Sequence, residues 1–332
     1  MALRFALIGL GHFGKHYLRL LQDMDGVRLR AVASHRQESL TTVQGLSPDV
    51  IRTSDIEMVF NHGEIDCVVI ATPASTHFDL ASRALKAGKH VLVEKPMTKT
   101  FEEAKQFRDA VEKSDRVFMV AHQYCYNDYI RHLKKEIDAG MLGKIRYFFF
   151  EHFYPGPIRS DIGCFGDAAP HAFSVLDMFF PETKIGNIQG KMLDISGRGN
   201  DDFAAIEISY DNGLLAVLAV SCFAPVKVRR MYMGGEKGMA LFDDMADAGK
   251  IKIAREPYPD MRNVAGGRSY AFDSLAANTE TPAIQAREPL RNQLEHFIEC
   301  VRAGKTPLTD IAHGIRVTDV IERVYREVKI YA

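Results

Sequence analysis

Lys95 stands in Glu94-Lys95-Pro96, straight after the apolar run Val91-Leu92-Val93. Upstream, the run from Arg4 to Ile8 leads into Gly9-Leu10-Gly11-His12-Phe13-Gly14. In this Gly-x-Gly-x-x-Gly spacing the first glycine makes the tight turn, the second admits a pyrophosphate to the backbone, and the third lets helix pack on strand. The helix that opens there, read at Gly14–Leu21, turns its N–H groups toward phosphate, with His12 and Phe13 in the turn before it as further cofactor contacts. A lysine closing a later strand of the same sheet places a cation beside the reactive end of such a dinucleotide. There it can donate a hydrogen bond to a substrate hydroxyl and favour an alkoxide-like transition state. A third cluster, Asp167-Ala168-Ala169-Pro170-His171, spaces a carboxylate and an imidazole four residues apart. On a helix these share one side, and the pair is suited to moving a proton near neutral pH. Together the three clusters point to nicotinamide-dependent hydride transfer. Each also has a plainer explanation: chance glycines, a solvated lysine, and a capping Asp beside a partly buried His.

Cofactor choice rests on the end of the second strand. An Asp or Glu about 20 residues past the turn binds the ribose hydroxyls of NAD. This chain has Ser34-His35-Arg36 there, with no carboxylate to repel a 2′-phosphate and a guanidinium able to pair with it. NADP is expected over NAD, unless Arg36 is merely a surface residue.

These residues need a scaffold. Up to about Ala121, apolar strands at Phe5–Ile8, Leu29–Ala33, Cys67–Ala71, Val91–Val93 and Val117–Ala121 alternate with helical stretches. Thr100-Phe101-Glu102-Glu103 reads as a capping box, and Gly88 as a left-handed helix stop. Such alternation predicts an α/β fold with an N-terminal Rossmann, doubly wound parallel sheet over residues 1–122. After a linking helix, Tyr129–Ala139, longer strands follow, and Tyr210-Asp211-Asn212-Gly213 signals a hairpin. Residues 123–332 are therefore expected to form an α+β domain with an open, mainly antiparallel sheet. A helix beginning at Asp167 would use that residue as N-cap, with Pro170 in its first turn. Residues 255–287 give no readable pattern. Leu290, Leu294, Phe297, Ile298 and Val301 then share a helical face, ended by Gly304.

The composition narrows the partners. A net charge of −1, from 42 basic and 43 acidic side chains, argues against nucleic acid and anionic membranes. The N-terminal apolar run contains Arg4 and reads as a strand, not a signal peptide, and no stretch reaches the roughly 20 apolar residues of a membrane span. Five scattered cysteines without Cys-x-x-Cys suggest a reducing cytoplasm. No histidine spacing calls for a metal.

The combined residues resemble the Gfo/Idh/MocA oxidoreductases over nearly the whole chain. The resemblance is carried by the glycine turn, by Ala71-Thr72-Pro73 with His77, and by Glu94-Lys95-Pro96. It continues through Gly140-Met141-Leu142-Gly143-Lys144-Ile145 and then Asp167 with His171. It implies that Lys95 polarises a hydroxyl, that His171 is the general acid/base and that Asp167 orients or relays. It also implies that Thr72, Pro73, His77 and Glu94 join the cofactor site, that Tyr126 and Asn127 contact substrate, and that the open sheet packs in a homodimer or homotetramer. The stretch around Gly156–Asp161 and the ending Glu288–Phe297 look like members acting on nucleotide-linked sugars, with Arg159 on a diphosphate. Three departures, Ser174 for Asp, Ala74 for Asn and Cys125 for Arg, predict a pocket unlike that of the best-known members. The expected activity is hydride transfer to or from a secondary alcohol of a sugar or nucleotide sugar. The rivals are a free aldose or polyol dehydrogenase, and a dinucleotide-sensing regulator without chemistry.

Overall fold

The computed structural model describes residues 2–156, 158–159, 162–181, 183–255 and 279–332. The chain folds into two compact units, Met1–Tyr126 with Glu288–Asp319, and Asn127–Arg287 with Val320–Ala332.

The first unit is a six-stranded parallel sheet flanked by helices. Its elements are β1 (Leu3–Ile8), α1 (His12–Asp23), β2 (Val27–Ala33), α2 (Gln37–Thr42), β3 (Ile51–Thr53), α3 (Ile56–Phe60), β4 (Cys67–Ile70), α4 (His77–Lys86), β5 (His90–Val93), α5 (Phe101–Glu112) and β6 (Phe118–Val120). The strand order is β3-β2-β1-β4-β5-β6, every pair parallel. β4 is buried at all four positions, as a strand covered on both faces must be. α4 buries Leu80, Ala81, Ala84 and Leu85, and α5 buries Ala104 and Phe107; these form one apolar cluster with Val68, Ile70, Val91 and Val93. Thr100 and Glu103 complete the expected capping box of α5. The helix Pro289–Ala303 returns to this unit, burying Leu290, Leu294 and Phe297, the last edge-on to Phe5 at 6.2 Å. Gly304 ends it with φ 60°. Because all six strands run the same way, the loops after β1, β2, β4, β5 and β6 leave from one edge of the sheet. The order reverses between β1 and β4, where ligands of open α/β sheets bind.

The second unit comprises α6 (Asp128–Asp138), β7 (Ile145–Pro155), α7 (Cys164–Phe179), β8 (Ile185–Leu193), β9 (Phe203–Tyr210), β10 (Leu215–Ser221), β11 (Phe223–Gly235), β12 (Met239–Asp243), β13 (Ile251–Ala254), β14 (Thr279–Glu280) and β15 (Ile330–Tyr331). Its nine-stranded sheet has the order β14-β13-β12-β11-β7-β10-β9-β8-β15. Most pairs are antiparallel, but β7 with β10 and β8 with β15 are parallel. The β9–β10 hairpin closes as expected, with Tyr210 N–H on the Leu214 carbonyl at 2.9 Å and Gly213 at φ 83°. α7 packs on β9 and β10. A helix spanning Ile311–Glu327 gives its first half to the first unit and its second half to the other.

Candidate active site

In the first unit the glycine turn has the geometry its spacing requires. Gly9 adopts φ 101°, a region few side chains tolerate, and a Cβ there would strike the Ala71 carbonyl. A Cβ on Gly14 would strike the Gly9 carbonyl, so this glycine permits α1 to seat on the turn. Around Gly11, by contrast, a Cβ would meet nothing within 4 Å. That open side is where the backbone can receive a pyrophosphate. Gly11 is the N-cap of α1 and makes no side-chain cap bond, and the first turn of α1 holds no acidic residue. These features fit a dinucleotide phosphate. His12 and Phe13 are exposed in that first turn, and their rings meet edge-on at 5.8 Å.

After β2, Ser34 is buried; its backbone N–H bonds the Thr53 carbonyl, and its Oγ accepts from the Arg36 N–H at 3.2 Å. His35 and Arg36 are exposed at the start of α2. After β4, Thr72 and Pro73 form the next loop, with the Thr76 hydroxyl on Thr72 Oγ1 at 2.7 Å. After β5 come Glu94, which is buried, Lys95, which is partly exposed, and Pro96, joined to Lys95 by a cis peptide bond. The Glu94 carboxylate accepts from the Tyr17 hydroxyl at 2.7 Å and from the Lys95 N–H at 3.1 Å. Tyr17 is fully buried, and burial together with the Glu94 charge pushes its pKa well above the ordinary value. His77, at the head of α4 and 1% exposed, sets Nδ1 2.8 Å from the Pro96 carbonyl and Nε2 2.9 Å from the Thr72 carbonyl.

After β6, His122 is buried with its Nδ1 2.9 Å from Nε2 of His313, also buried. Burial first, then His313 and the Lys95 cation, push the His122 pKa well below its ordinary value. Tyr126, expected at the substrate, is 1% exposed; its hydroxyl meets Thr309 Oγ1 at 2.8 Å and its carbonyl accepts from Asn292 at 3.0 Å. In this structure it ties the helix Pro289–Ala303 to the sheet.

In the second unit, Asn127 caps α6, its Oδ1 accepting from the Tyr129 N–H at 2.9 Å. α7 carries Asp167 and His171, both partly exposed. Its N-cap is Gly163, four residues before the Asp167 that the sequence suggests, so Asp167 lies in the first turn instead of capping it and Pro170 falls inside the helix. The capping side chain comes from a distant residue. Asp201, 1% exposed, accepts the Phe165 N–H on Oδ2 at 2.6 Å and the Tyr325 hydroxyl on Oδ1 at 2.8 Å. The same Tyr325 oxygen accepts the Gly166 N–H at 2.9 Å. His171 stacks on His152 of β7 with ring centroids 5.9 Å apart. Arg159 donates to Asp167 Oδ1 at 3.2 Å, so the guanidinium expected at a diphosphate neutralises a carboxylate of this cluster. Its neighbours Pro157, Ser160 and Asp161 lie outside the described residues. Arg159, Asp167, Cys164 and Arg198 line one pocket of this unit.

Sequence reasoning did not single out Tyr17, Asp201 or Tyr325, and it placed Gln293 only within the chain's ending. Yet Gln293 donates to the Tyr17 hydroxyl at 2.8 Å and is fully buried. The signal present was a polar residue within an apolar helical stripe, Gln293 between Leu290 and Phe297. Among the described residues, no group of three His, Cys, Asp or Glu could hold a metal, and no helix is long and apolar enough to cross a membrane.

A parallel sheet of order 3-2-1-4-5-6, with a phosphate-ready glycine turn at its switch point, defines a dinucleotide-binding α/β enzyme. Residues 3–122 match the model described as an oxidoreductase family with an NAD-binding Rossmann fold, and residues 130–241 match the Gfo/Idh/MocA C-terminal domain. The chain belongs to the Gfo/Idh/MocA family and is an NAD(P)-binding oxidoreductase. Among its relatives is the scyllo-inositol 2-dehydrogenase (NAD(+)) of Bacillus subtilis strain 168, 27% identical over 99% of this chain and 92% of that protein. Another is the 4-carboxy-2-hydroxymuconate-6-semialdehyde dehydrogenase of Sphingobium sp., 28% identical over 99% of this chain and 98% of that one. Of solved structures, KijD10, a 3-ketoreductase from Actinomadura kijaniata in complex with NADP and TDP-benzene, aligns over 100% of both chains with a TM-score of 0.82; at 17% identity this is a likeness of fold.

Proposed function

We propose that this chain transfers hydride between NADP and a secondary alcohol or ketone of a sugar or nucleotide-linked sugar. The observation that supports it most is the shared sheet edge: Lys95 leaves β5 on the edge where the glycine turn leaves β1 and the Arg36 loop leaves β2. In this reading the backbone around Gly11 holds the pyrophosphate and Arg36 pairs with the 2′-phosphate. Bound nicotinamide supplies the hydride acceptor or donor. Lys95 donates to the substrate oxygen and stabilises negative charge as it develops. His171 exchanges the hydroxyl proton, oriented by Asp167 one helical turn earlier. With Asp167 already paired to Arg159, the pair keeps a carboxylate near His171 while its charge is partly offset.

A second reading, dehydrogenation of a free polyol, is favoured by that Arg159–Asp167 pair, which engages the guanidinium the diphosphate would require. The full-length likeness to an inositol dehydrogenase adds to it. The separating experiment incubates the protein with NADP or NAD and a panel of UDP-, dTDP- and GDP-sugars, free aldoses and inositols, and follows nicotinamide reduction. Turnover of nucleotide sugars alone supports the first reading and turnover of inositols alone supports the second. Tight cofactor binding with no turnover of any CH–OH compound contradicts both and favours a sensor.

A further inference from the structure

Lys95 has a long side chain, and a lysine that must meet one oxygen needs its backbone fixed. The loop that carries it is held from both sides by buried polar groups. Before it, the Glu94 carboxylate takes the Tyr17 hydroxyl at 2.7 Å on one oxygen and the Lys95 backbone N–H at 3.1 Å on the other. Tyr17 in turn accepts from Gln293 at 2.8 Å, so its hydroxyl proton is committed to Glu94. Tyr17 and Gln293 are fully buried and Glu94 is 8% exposed. A carboxylate buried this deeply is costly unless donors surround it, and these two donors hold it in one place. After Lys95, the Pro96 carbonyl lies 2.8 Å from His77 Nδ1, and Nε2 of the same ring lies 2.9 Å from the Thr72 carbonyl. One imidazole thus lies between the loop after β4 and the loop after β5, within hydrogen-bond distance of a carbonyl of each. Each ring nitrogen faces a main-chain carbonyl, and His77 is 1% exposed.

We infer that His77 and the Tyr17–Gln293 pair are positioning residues for Lys95, acting on turnover through the geometry of the Glu94-Lys95-Pro96 turn. The inference rests on the reading of Lys95 given above and departs from the expectation that His77 contacts the cofactor. A displacement of about 1 Å in a reacting group costs on the order of a hundredfold in rate. Binding of the dinucleotide phosphates, made by the glycine turn, is untouched.

Tyr17→Phe and His77→Gln in the full chain test it with three readouts. NADPH affinity is measured by fluorescence titration. Lys95 reactivity is measured by acetic anhydride labelling and peptide mass spectrometry, with exposed Lys113 as internal reference. Turnover is measured on whichever panel compound reduces the cofactor. The expected result is an NADPH affinity within about twofold of wild type, Lys95 labelling changed by about threefold or more relative to Lys113, and kcat lowered about ten- to a hundredfold with little change in KM. Tyr17→Phe should cost nothing further in a Lys95→Met background, because the two act as one unit. Unchanged Lys95 labelling, or NADPH affinity falling in step with kcat, overturns the inference. Should Tyr17→Phe fail to fold, His77→Gln reports on the same loop from its other side. A wild type inert toward the whole panel removes the substrate reading above and leaves labelling and NADPH titration to decide this one.

Discussion

Individual residues carry the sharpest expectations. Gly11 and Gly14 look alike in sequence but sit in opposite surroundings: open space around one, a carbonyl against the other. Gly11→Ala should therefore fold normally and lose cofactor affinity by about tenfold or more, because the methyl group occupies the phosphate approach. Gly14→Ala should destabilise the fold itself by about 1–3 kcal/mol through overpacking. Thermal melts and cofactor titrations of the two variants check this; the reverse pattern would discredit the assignment of the turn. Arg36→Ala should weaken NADP about ten- to a hundredfold, the worth of a charge-assisted bond, and leave NAD affinity nearly unchanged. His122 supplies a pH dependence. Its pKa is depressed in the fold, so on acidification through about 6.5 the unfolded chain takes up a proton that the native protein refuses. Stability then falls with pH, by at most about 1.4 kcal/mol per unit, down to the depressed native value. His122→Gln, which still offers His313 a polar partner, should flatten that slope in urea melts between about pH 7 and pH 5. Equal slopes would show that His122 is not held neutral. The glycine turn was legible because its signal is local, and Lys95 and His171 were singled out from local motifs in the same way. Tyr17, Gln293 and Asp201 were not, since their partners lie 77, 276 and 36 residues away in sequence.

At the scale of elements, the longer parallel strands and helices α1, α4 and α5 followed from the sequence pattern, because a strand covered on both faces is a continuous apolar run, whereas the short α2 and α3 did not. Strands at the margins escaped for the same reason in reverse. β3 has only three residues, and β8 (IGNIQGKML) is exposed at most positions, leaving no alternation to read. The start of α7 was misplaced because its cap is supplied from the loop before β9, a contact no local pattern encodes. That cap gives a prediction at this scale. Asp201→Ala removes the acceptor for the Phe165 N–H and for the Tyr325 hydroxyl in a buried setting. It should cost about 2 kcal/mol of stability and lower turnover by loosening the turn that carries Asp167. Denaturant titration and steady-state kinetics check both parts, and a variant as stable as wild type would show that α7 is anchored elsewhere.

For the whole molecule, the sequence placed everything after residue 122 in one later domain, whereas Glu288–Asp319 joins the compact unit of the parallel sheet. The apolar stripe of the helix Pro289–Ala303 was visible, but a stripe does not name the surface it covers. Family membership accounts for the cofactor class and the type of reaction. Substrate choice is expected to depend on the second unit, where Ser174 donates to the His171 carbonyl at 3.0 Å and Arg159 pairs with Asp167. The most direct test of the central claim compares wild type with Lys95→Met in two assays, NADP binding and nicotinamide reduction with the panel of sugars, nucleotide sugars and inositols. A hydroxyl-polarising Lys95 predicts that both proteins bind NADP alike while the variant turns over at least about a hundredfold more slowly. Full turnover in Lys95→Met would contradict it.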